Sequence, residues 1–321
     1  MERDKSIDNL RGLAMFAMMV IHAISYFFSD KFSFYIWDYS QWAVPVFLFC
    51  SFYLYFKNPK KLEKFTFFSY LKKRFSRLLI PYYIFLFFFY ILLYWFDKKS
   101  FFNFNQLKAN IFIYGGSSFN WLVLVFVYFI FLMPLIFWLK KYKYFYYGFF
   151  FTSFASSIYF IFSPLNYRLV MWLPWSVLIF FTVFFIKNEK NWKRLFLTAT
   201  VFVIIFFILR IIEIKIGHNL TQFENKYPPT LYHLSYGIFS TIIIFWLSKK
   251  NFFSYFNFQK LLYFLSINSY SLFFIHILVM SSLNWLNLKT NHWFTFFLII
   301  LSTSSIIQLV LNRFKKIFDI I

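Results

Sequence analysis

Two residues of the first apolar segment have types and a spacing suited to chemistry inside a membrane. Arg11 and His22 lie eleven residues apart in a stretch that is otherwise almost entirely apolar. At about 100° and 1.5 Å per residue, both side chains lie on one helix face, with His22 roughly 16 Å deeper than Arg11. An ionisable residue at the centre of a span costs about 2.5–3.5 kcal/mol on insertion scales, so each one suggests a function.

That separation fits a long ligand with one anionic end. Acyl-coenzyme A carries phosphates at one end of a thin pantetheine arm and a thioester at the other. We expect Arg11 to bind the phosphates, and His22 to act as general base for an acceptor hydroxyl or else as a transient acyl carrier. Imidazole suits a general base because its unperturbed pKa is about 6.5. Taken singly, Arg11 is equally typical of an interfacial anchor and His22 of a buried structural histidine. Asp8, one turn before Arg11, either orients that guanidinium or favours the helix start.

A second basic motif, Lys72-Lys-Arg-Phe-Ser-Arg77, precedes the third apolar segment. Arg74 and Arg77 are three residues apart and would be neighbours on one helix face. Guanidinium groups suit bidentate phosphate binding. We therefore predict that Arg74, Arg77 and Lys73 contribute to donor binding. A cluster that only fixes membrane orientation is the alternative.

The remaining candidates lie later in the chain. His276 lies well inside the ninth apolar segment, and we expect it to pair with His22, to contact the acceptor, or to be structural. Tyr270, Trp121 and Glu213 are weaker candidates for acceptor binding. Trp121 begins the fourth apolar segment, and Glu213 begins a loop with the sequence Glu224-Asn-Lys-Tyr-Pro-Pro229 that is predicted to face outward.

The elements that must position these residues are transmembrane helices. The 321 residues are 61% hydrophobic and 14% charged, whereas a soluble domain is about a quarter charged. Apolar blocks approach the roughly 20 residues that a helix needs to cross a bilayer, and they exceed barrel strands of about 10. The pattern predicts an all-α polytopic membrane protein. Its ten predicted spans are 10–28, 42–57, 77–96, 119–139, 144–163, 169–186, 195–212, 231–248, 261–284 and 293–312.

The charge of +22 indicates membrane orientation rather than nucleic-acid binding, because the basic residues form short clusters between apolar blocks. With ten spans, 24 of the 33 Lys and Arg residues lie on the side of the N-terminus and 9 on the other. This bias predicts that both termini are cytoplasmic in the cell membrane. The single Cys50 excludes an internal disulfide, and no ligand spacing suggests a metal. We expect one domain over residues 1–321, without an appended soluble domain.

Four segments, in this order, resemble the acyltransferase 3 family of integral membrane acyltransferases. They are Ile7-Asp-Asn-Leu-Arg-Gly12 with His22, Trp42 to Ser51, Lys73-Arg-Phe-Ser-Arg77 with Pro81, and Ser269-Tyr270 through His276. The second segment departs from the family pattern, because Phe52 stands where glycine is common.

The resemblance implies that an Arg and a His are needed for transfer and that acyl-coenzyme A, in particular acetyl-coenzyme A, enters from the cytoplasm. It also implies a hydroxyl of a cell-surface or lipid-linked glycan as acceptor, contact with membrane lipids, and any further extracytoplasmic step on a separate partner protein. The alternatives are a transmembrane N-acetyltransferase acting on amino sugars, a transporter or flippase for a lipid-linked glycan, and a scaffold without chemistry. The acyl group, the glycan and the oligomeric state are not predicted.

Overall fold

The computed structural model describes residues 4–28, 30–57, 67–96, 103–162, 167–255, 258–288 and 290–317, and these contain helices and no named strand. The helices are α1 (Lys5–Ile24), α2 (Lys31–Tyr39), α3 (Ala43–Phe56), α4 (Phe67–Trp95), α5 (Phe104–Ile111), α6 (Trp121–Leu139), α7 (Lys143–Phe162), α8 (Tyr167–Val170), α9 (Trp172–Trp175), α10 (Val177–Asn188), α11 (Trp192–Ile216), α12 (Leu231–Lys249), α13 (Phe252–Tyr255), α14 (Gln259–Ile267), α15 (Ser269–Trp285) and α16 (Trp293–Ile317).

The all-α polytopic prediction is confirmed, with two differences in the spans. Among the described residues, eight helical stretches are long and apolar enough to cross a membrane, and α14 with α15 forms a ninth span bent by 90°. The predicted second span is the 14-residue helix α3, only about 21 Å long against a hydrocarbon core of about 30 Å. Helices α1, α10 and α12 pack around α3. Because they shield it from lipid, α3 need not match the bilayer thickness.

Helix α1 lies at the centre of the bundle and contacts α3, α12, α14 and α16. Its closest approach is to α14 at Gly12, where an added Cβ would lie 2.1 Å from the carbonyl oxygen of Leu262. Only glycine permits this approach, which holds the adjacent Arg11 against α14. Helices α7 and α11 lie at the outside, with 22% of each apolar window buried. Their exposed Phe and Ile side chains are typical of a surface that faces lipid.

One end of the bundle, here called the basic end, is held by ion pairs between loops that the span order predicts to share a side. Lys249 Nζ lies 3.5 Å from Asp4 Oδ1 and 4.0 Å from Glu189 Oε1, and Glu189 also pairs with Lys57. These four residues come from four distant parts of the sequence. Their meeting agrees with the predicted alternation of spans.

The opposite end, here called the far end, gathers the other predicted loops. Lys226 Nζ donates a hydrogen bond to Gln41 Oε1 at 2.7 Å, and the Gln222 backbone N–H donates to Asp38 Oδ1 at 2.7 Å. The assignment of the basic end to the cytoplasm remains a prediction from charge bias.

Candidate active site

The two histidines predicted from separate helices form a pair. His22 Nδ1 lies 2.7 Å from His276 Nε2, although the residues are 254 positions apart. The ring centroids are 5.0 Å apart and the ring planes differ by 7°. This centroid separation equals the nitrogen–nitrogen distance plus two ring radii. The rings therefore lie edge to edge in nearly one plane, which aligns the hydrogen bond.

The surroundings of His276 fix the proton positions in this pair. His276 Nδ1 lies 2.8 Å from the carbonyl oxygen of Leu272, and because a carbonyl only accepts, Nδ1 carries the proton. For two neutral rings, His276 Nε2 is then an acceptor and His22 Nδ1–H donates to it. His22 Nε2 is left unprotonated. His276 is fully buried, whereas His22 is partly exposed. The arrangement presents His22 Nε2 as a base, oriented by His276 in the way that a catalytic triad orients its histidine.

Arg11 is held by a three-residue polar cluster at the contact of α1 and α14. Arg11 Nε donates to Ser266 Oγ at 3.1 Å, and Ser266 Oγ donates to Asp8 Oδ1 at 2.8 Å. Asp8 Oδ1 also lies 3.6 Å from Arg11 Nη2. Asp8 and Ser266 are buried, and Arg11 is partly exposed. The orienting role predicted for Asp8 agrees with this geometry, and Ser266 is an additional partner from a distant helix.

The bend between α14 and α15 connects the Arg11 cluster to the basic motif of α4. Ser266 lies just before the bend, and Tyr270, just after it, donates from its hydroxyl to the carbonyl oxygen of Leu78 at 2.6 Å. Leu78 follows Arg77 directly. Both cationic segments predicted for donor binding therefore contact the two sides of one bend. His276 lies two turns further along α15.

A cleft of about 920 Å³ opens at the basic end beside this cluster. It reaches Asp8 and Asn9 in the first turns of α1. Three lysines, Lys5, Lys249 and Lys260, contribute positive charge to its lining. Asp4 and Asp8 also line the cleft, and Lys249 pairs with Asp4, so Lys5 and Lys260 supply the positive charge that suits an anionic ligand.

The predicted donor-binding residues of α4 lie outside this cleft lining. The motif is helical, as predicted, so Arg74 and Arg77 are neighbours on one face. The guanidinium of Arg74 packs over the rings of Tyr55 and Tyr70, at 5.7 and 5.6 Å from their centroids. Arg77 and Lys73 are exposed. Arg74 thus packs against aromatic rings, and Arg77 and Lys73 lie at the surface.

Two weaker candidates, Trp121 and Glu213, lie at the far end. Trp121 is buried, and its ring packs against Trp175 and Tyr227 with centroid distances of 6.5 and 4.8 Å. Glu213 is fully buried and accepts a hydrogen bond from Asn225 Nδ2 at 3.2 Å. Glu213 therefore anchors the segment 217–230 to α11, and among the described residues no hydrogen bond or ion pair joins it to His22.

Lys226 was not predicted as a functional residue, although it lies in the loop that was predicted to face outward. Lys226 is buried at the far end and acts electrostatically on His22. Burial lowers the pKa of Lys226 from 10.5 to about 7, and Asp38 partly offsets this effect. Burial in turn raises the pKa of Asp38 to about 6, although hydrogen bonds from the backbone N–H groups of Phe223 and Gln222 lower it. A charged residue just before two prolines and an apolar helix was the available signal.

Comparison with known proteins supplies the family. A family model described as an acyltransferase domain, that of the acyltransferase 3 family, matches residues 4–311. No curated protein and no solved structure matches the chain. The matched range covers nearly the whole chain, from the N-cap of α1 into α16. The chain therefore belongs to the acyltransferase 3 family and is a membrane acyltransferase.

Proposed function

We propose that this protein transfers an acyl group, in particular acetyl, from cytoplasmic acyl-coenzyme A to a hydroxyl of a cell-surface or lipid-linked glycan. The observation that carries the proposal is that His22, oriented by His276 of α15, lies on the same helix as Arg11 and roughly 16 Å from it by helical rise. A pantetheine arm requires such a separation between its phosphates and its thioester.

The donor end is assigned to the basic end of the bundle. Arg11, fixed by Asp8 and Ser266, would bind the phosphate nearest the arm. The lysines that line the adjacent cleft, Lys5, Lys249 and Lys260, would receive the remaining anionic groups. Arg77 and Lys73, exposed at the other side of the bend, flank the same route, while Arg74 supports the helix through its two tyrosines.

The transfer step then follows from the proton positions of the histidine pair. The acceptor hydroxyl approaches His22 Nε2, which takes its proton as the oxygen attacks the thioester carbonyl carbon. A carbon–oxygen bond forms, the carbon–sulfur bond breaks, and the coenzyme A thiolate takes the proton from His22. His276 holds the ring through Nδ1 during both transfers. General-base assistance of this kind contributes about 10²–10⁴ to the rate.

Mass spectrometry of surface glycans tests this function. Cells that express the protein are expected to carry base-labile acyl groups on a glycan, and cells that express His22→Ala or Arg11→Ala at equal membrane levels are expected to lack them. Acyl groups that persist in both variants would refute the assignment. Attachment of the acyl group to an amine instead of a hydroxyl, shown by resistance to mild base, would favour the N-acetyltransferase alternative.

One observation bears on the transporter alternative. The broken span of α14 and α15 is a feature that transporters also use. Transporters, however, have such breaks in corresponding positions of paired halves, and the described residues contain one bent pair of this kind. If His22→Ala abolished export of lipid-linked glycan without changing acylation, the transporter reading would replace the enzymatic one.

A further inference from the structure

The far end contains a buried polar cluster that the donor site and the histidine pair do not use. The segment 217–230 closes over the helix ends there, and its Lys226 is 5% exposed. Lys226 Nζ donates to Gln41 Oε1 at 2.7 Å. The rings of Tyr227, Phe223 and Trp121 surround the ammonium, with centroids 4.8, 5.0 and 5.4 Å away.

Lys226 has no carboxylate within ion-pair distance among the residues that the structure describes. Asp38 acts on it only at longer range, because Asp38 Oδ1 accepts from the backbone N–H groups of Gln222 and Phe223 at 2.7 and 3.3 Å. Buried ammonium groups are normally paired. Aromatic faces compensate only part of the lost hydration. The ammonium therefore lacks a full counter-charge.

Three buried polar atoms beside Lys226 also lack a hydrogen-bond partner, namely Gln222 Nε2, His233 Nε2 and Trp175 Nε1. His233 Nδ1 lies 3.2 Å from Gln222 Oε1, so it is the donor and leaves Nε2 as an acceptor. The cluster thus offers two unused donors and one unused acceptor. Such atoms destabilise a folded protein unless a ligand or water satisfies them. Hydroxyl groups, which both donate and accept, match this set.

The position of these groups relates them to the reaction. Lys226 acts electrostatically on both His22 and His233, so it lies near the histidine pair and near the unsatisfied atoms. The donor approaches His22 from the basic end, and the acceptor is expected from the opposite side. These atoms are buried, so a ligand reaches them only after a local movement of the far end.

We propose that the polar groups around Lys226 form the acceptor subsite. They select an acceptor that carries an anionic group, a carboxylate or a phosphate, beside the hydroxyl to be acylated. These groups, here called the Lys226 cluster, are Lys226, Gln41, Gln222, His233 and Trp175. The inference rests on the proposed function. The ammonium supplies the charge that pairs with the anion, and the three unsatisfied atoms bind neighbouring hydroxyls.

The test uses the full-length protein in proteoliposomes with acetyl-coenzyme A and three acceptors, namely methyl glucoside, methyl glucuronide and glucose 1-phosphate. We expect the wild type to prefer the carboxylate or phosphate acceptor over the neutral one by about tenfold or more in kcat/KM, as a charge-assisted hydrogen bond provides. Lys226→Met and Lys226→Gln should lose this preference through a higher KM for the anionic acceptor. Their kcat/KM for methyl glucoside should fall by a much smaller factor than their kcat/KM for the anionic acceptors. The anionic acceptor with the higher kcat/KM shows whether the subsite is built for a carboxylate or for a phosphate.

Lys140→Met is the matched control. Lys140 is also held by aromatic rings, with Phe56 at 4.8 Å and Phe137 at 5.8 Å, but it lies at the basic end. Its replacement should leave the preference intact. Equal use of the neutral and anionic acceptors by the wild type would overturn the inference while acyl transfer stood. So would a loss of transfer to every acceptor in Lys226→Met.

A binding measurement separates this inference from the proposed function. Glucose 1-phosphate and methyl glucuronide should raise the thermal midpoint of the wild type without acetyl-coenzyme A, and they should not raise that of Lys226→Met. If this binding were found without transfer, the subsite would stand and the acyltransferase function would fall. Equal stabilisation of both proteins would overturn the subsite.

Discussion

Replacing His276 with phenylalanine tests whether the histidine pair positions the base. The substitution keeps an aromatic ring, slightly larger than imidazole, in the buried site and removes the acceptor that receives His22 Nδ1–H at 2.7 Å. Leaving a buried donor without its partner costs about 1–3 kcal/mol, which at 1.36 kcal/mol per factor of ten corresponds to a decrease of about 5- to 150-fold in kcat. The KM for acetyl-coenzyme A should change little, because Arg11 and the cleft at the basic end are untouched. Steady-state kinetics in proteoliposomes measures both quantities.

His276→Gln provides the conservative comparison, because a Gln Oε1 reaches the position of the imidazole Nε2 and accepts the same proton. It should retain activity within a few fold of the wild type. His292→Gln, in an exposed loop near the far end, controls for the loss of a histidine as such. Wild-type kcat in His276→Phe, or an equal loss in the Phe and Gln variants, would refute the positioning role.

Three further predictions concern the packing and electrostatics around the site. Gly12→Ala should lower the thermal midpoint and abolish transfer, because its Cβ would lie 2.1 Å from the Leu262 carbonyl oxygen and overpacking costs about 1–3 kcal/mol. The control Gly148→Ala, with no atom within 4 Å of its Cβ, should be neutral or stabilising. Equal thermal midpoints of the two variants would contradict a close contact at Gly12. Ser266→Ala should raise the KM for acetyl-coenzyme A about fivefold at unchanged kcat, as expected for a hydrogen bond worth about 1 kcal/mol, and a change in kcat alone would argue against a donor-binding role. Lys226→Met should raise the thermal midpoint, because a pKa of about 7 instead of 10.5 corresponds to about 4 kcal/mol of destabilisation at pH 7.

The pH dependence of that last variant follows from linkage. Between pH 7 and 10 the unfolded chain binds the Lys226 proton and the folded protein does not, so wild-type stability should rise with pH in that range. Asp38, His22 and His233 interact with Lys226, but their ordinary pKa values lie below 7. Above pH 7, the pH dependence of the difference in melting temperature between wild type and Lys226→Met therefore reports on Lys226. That difference should be largest near and below pH 7 and vanish by about pH 10. A difference that does not change with pH would contradict a buried ammonium.

The sequence predicted those parts of the site that follow from local geometry. The common face of Arg11 and His22 follows from helical periodicity, and the helical basic motif of α4 follows from its position before an apolar block. The bounds of α3 were less predictable, because its neighbours and not the bilayer determine how long it must be.

Contacts between distant segments were not predictable in the same way. The pairing of His22 with His276 was one of several open alternatives until α15 was seen to pack against α1. Ser266 and Lys226 gave no periodic signal, since their roles depend on a bend at Asn268 and on a loop that folds back over the helix ends. Tertiary packing alone determines which polar atoms in those segments find partners.

Single-turnover transfer by the reconstituted protein decides whether His22 accepts the acceptor proton during acyl transfer. Purified wild type in proteoliposomes, supplied with radiolabelled acetyl-coenzyme A and acceptor, is expected to transfer label about 10²–10⁴ times faster than His22→Ala, while the two proteins bind acetyl-coenzyme A with equal affinity. Equal transfer rates in the two proteins, at equal donor occupancy, would contradict the account.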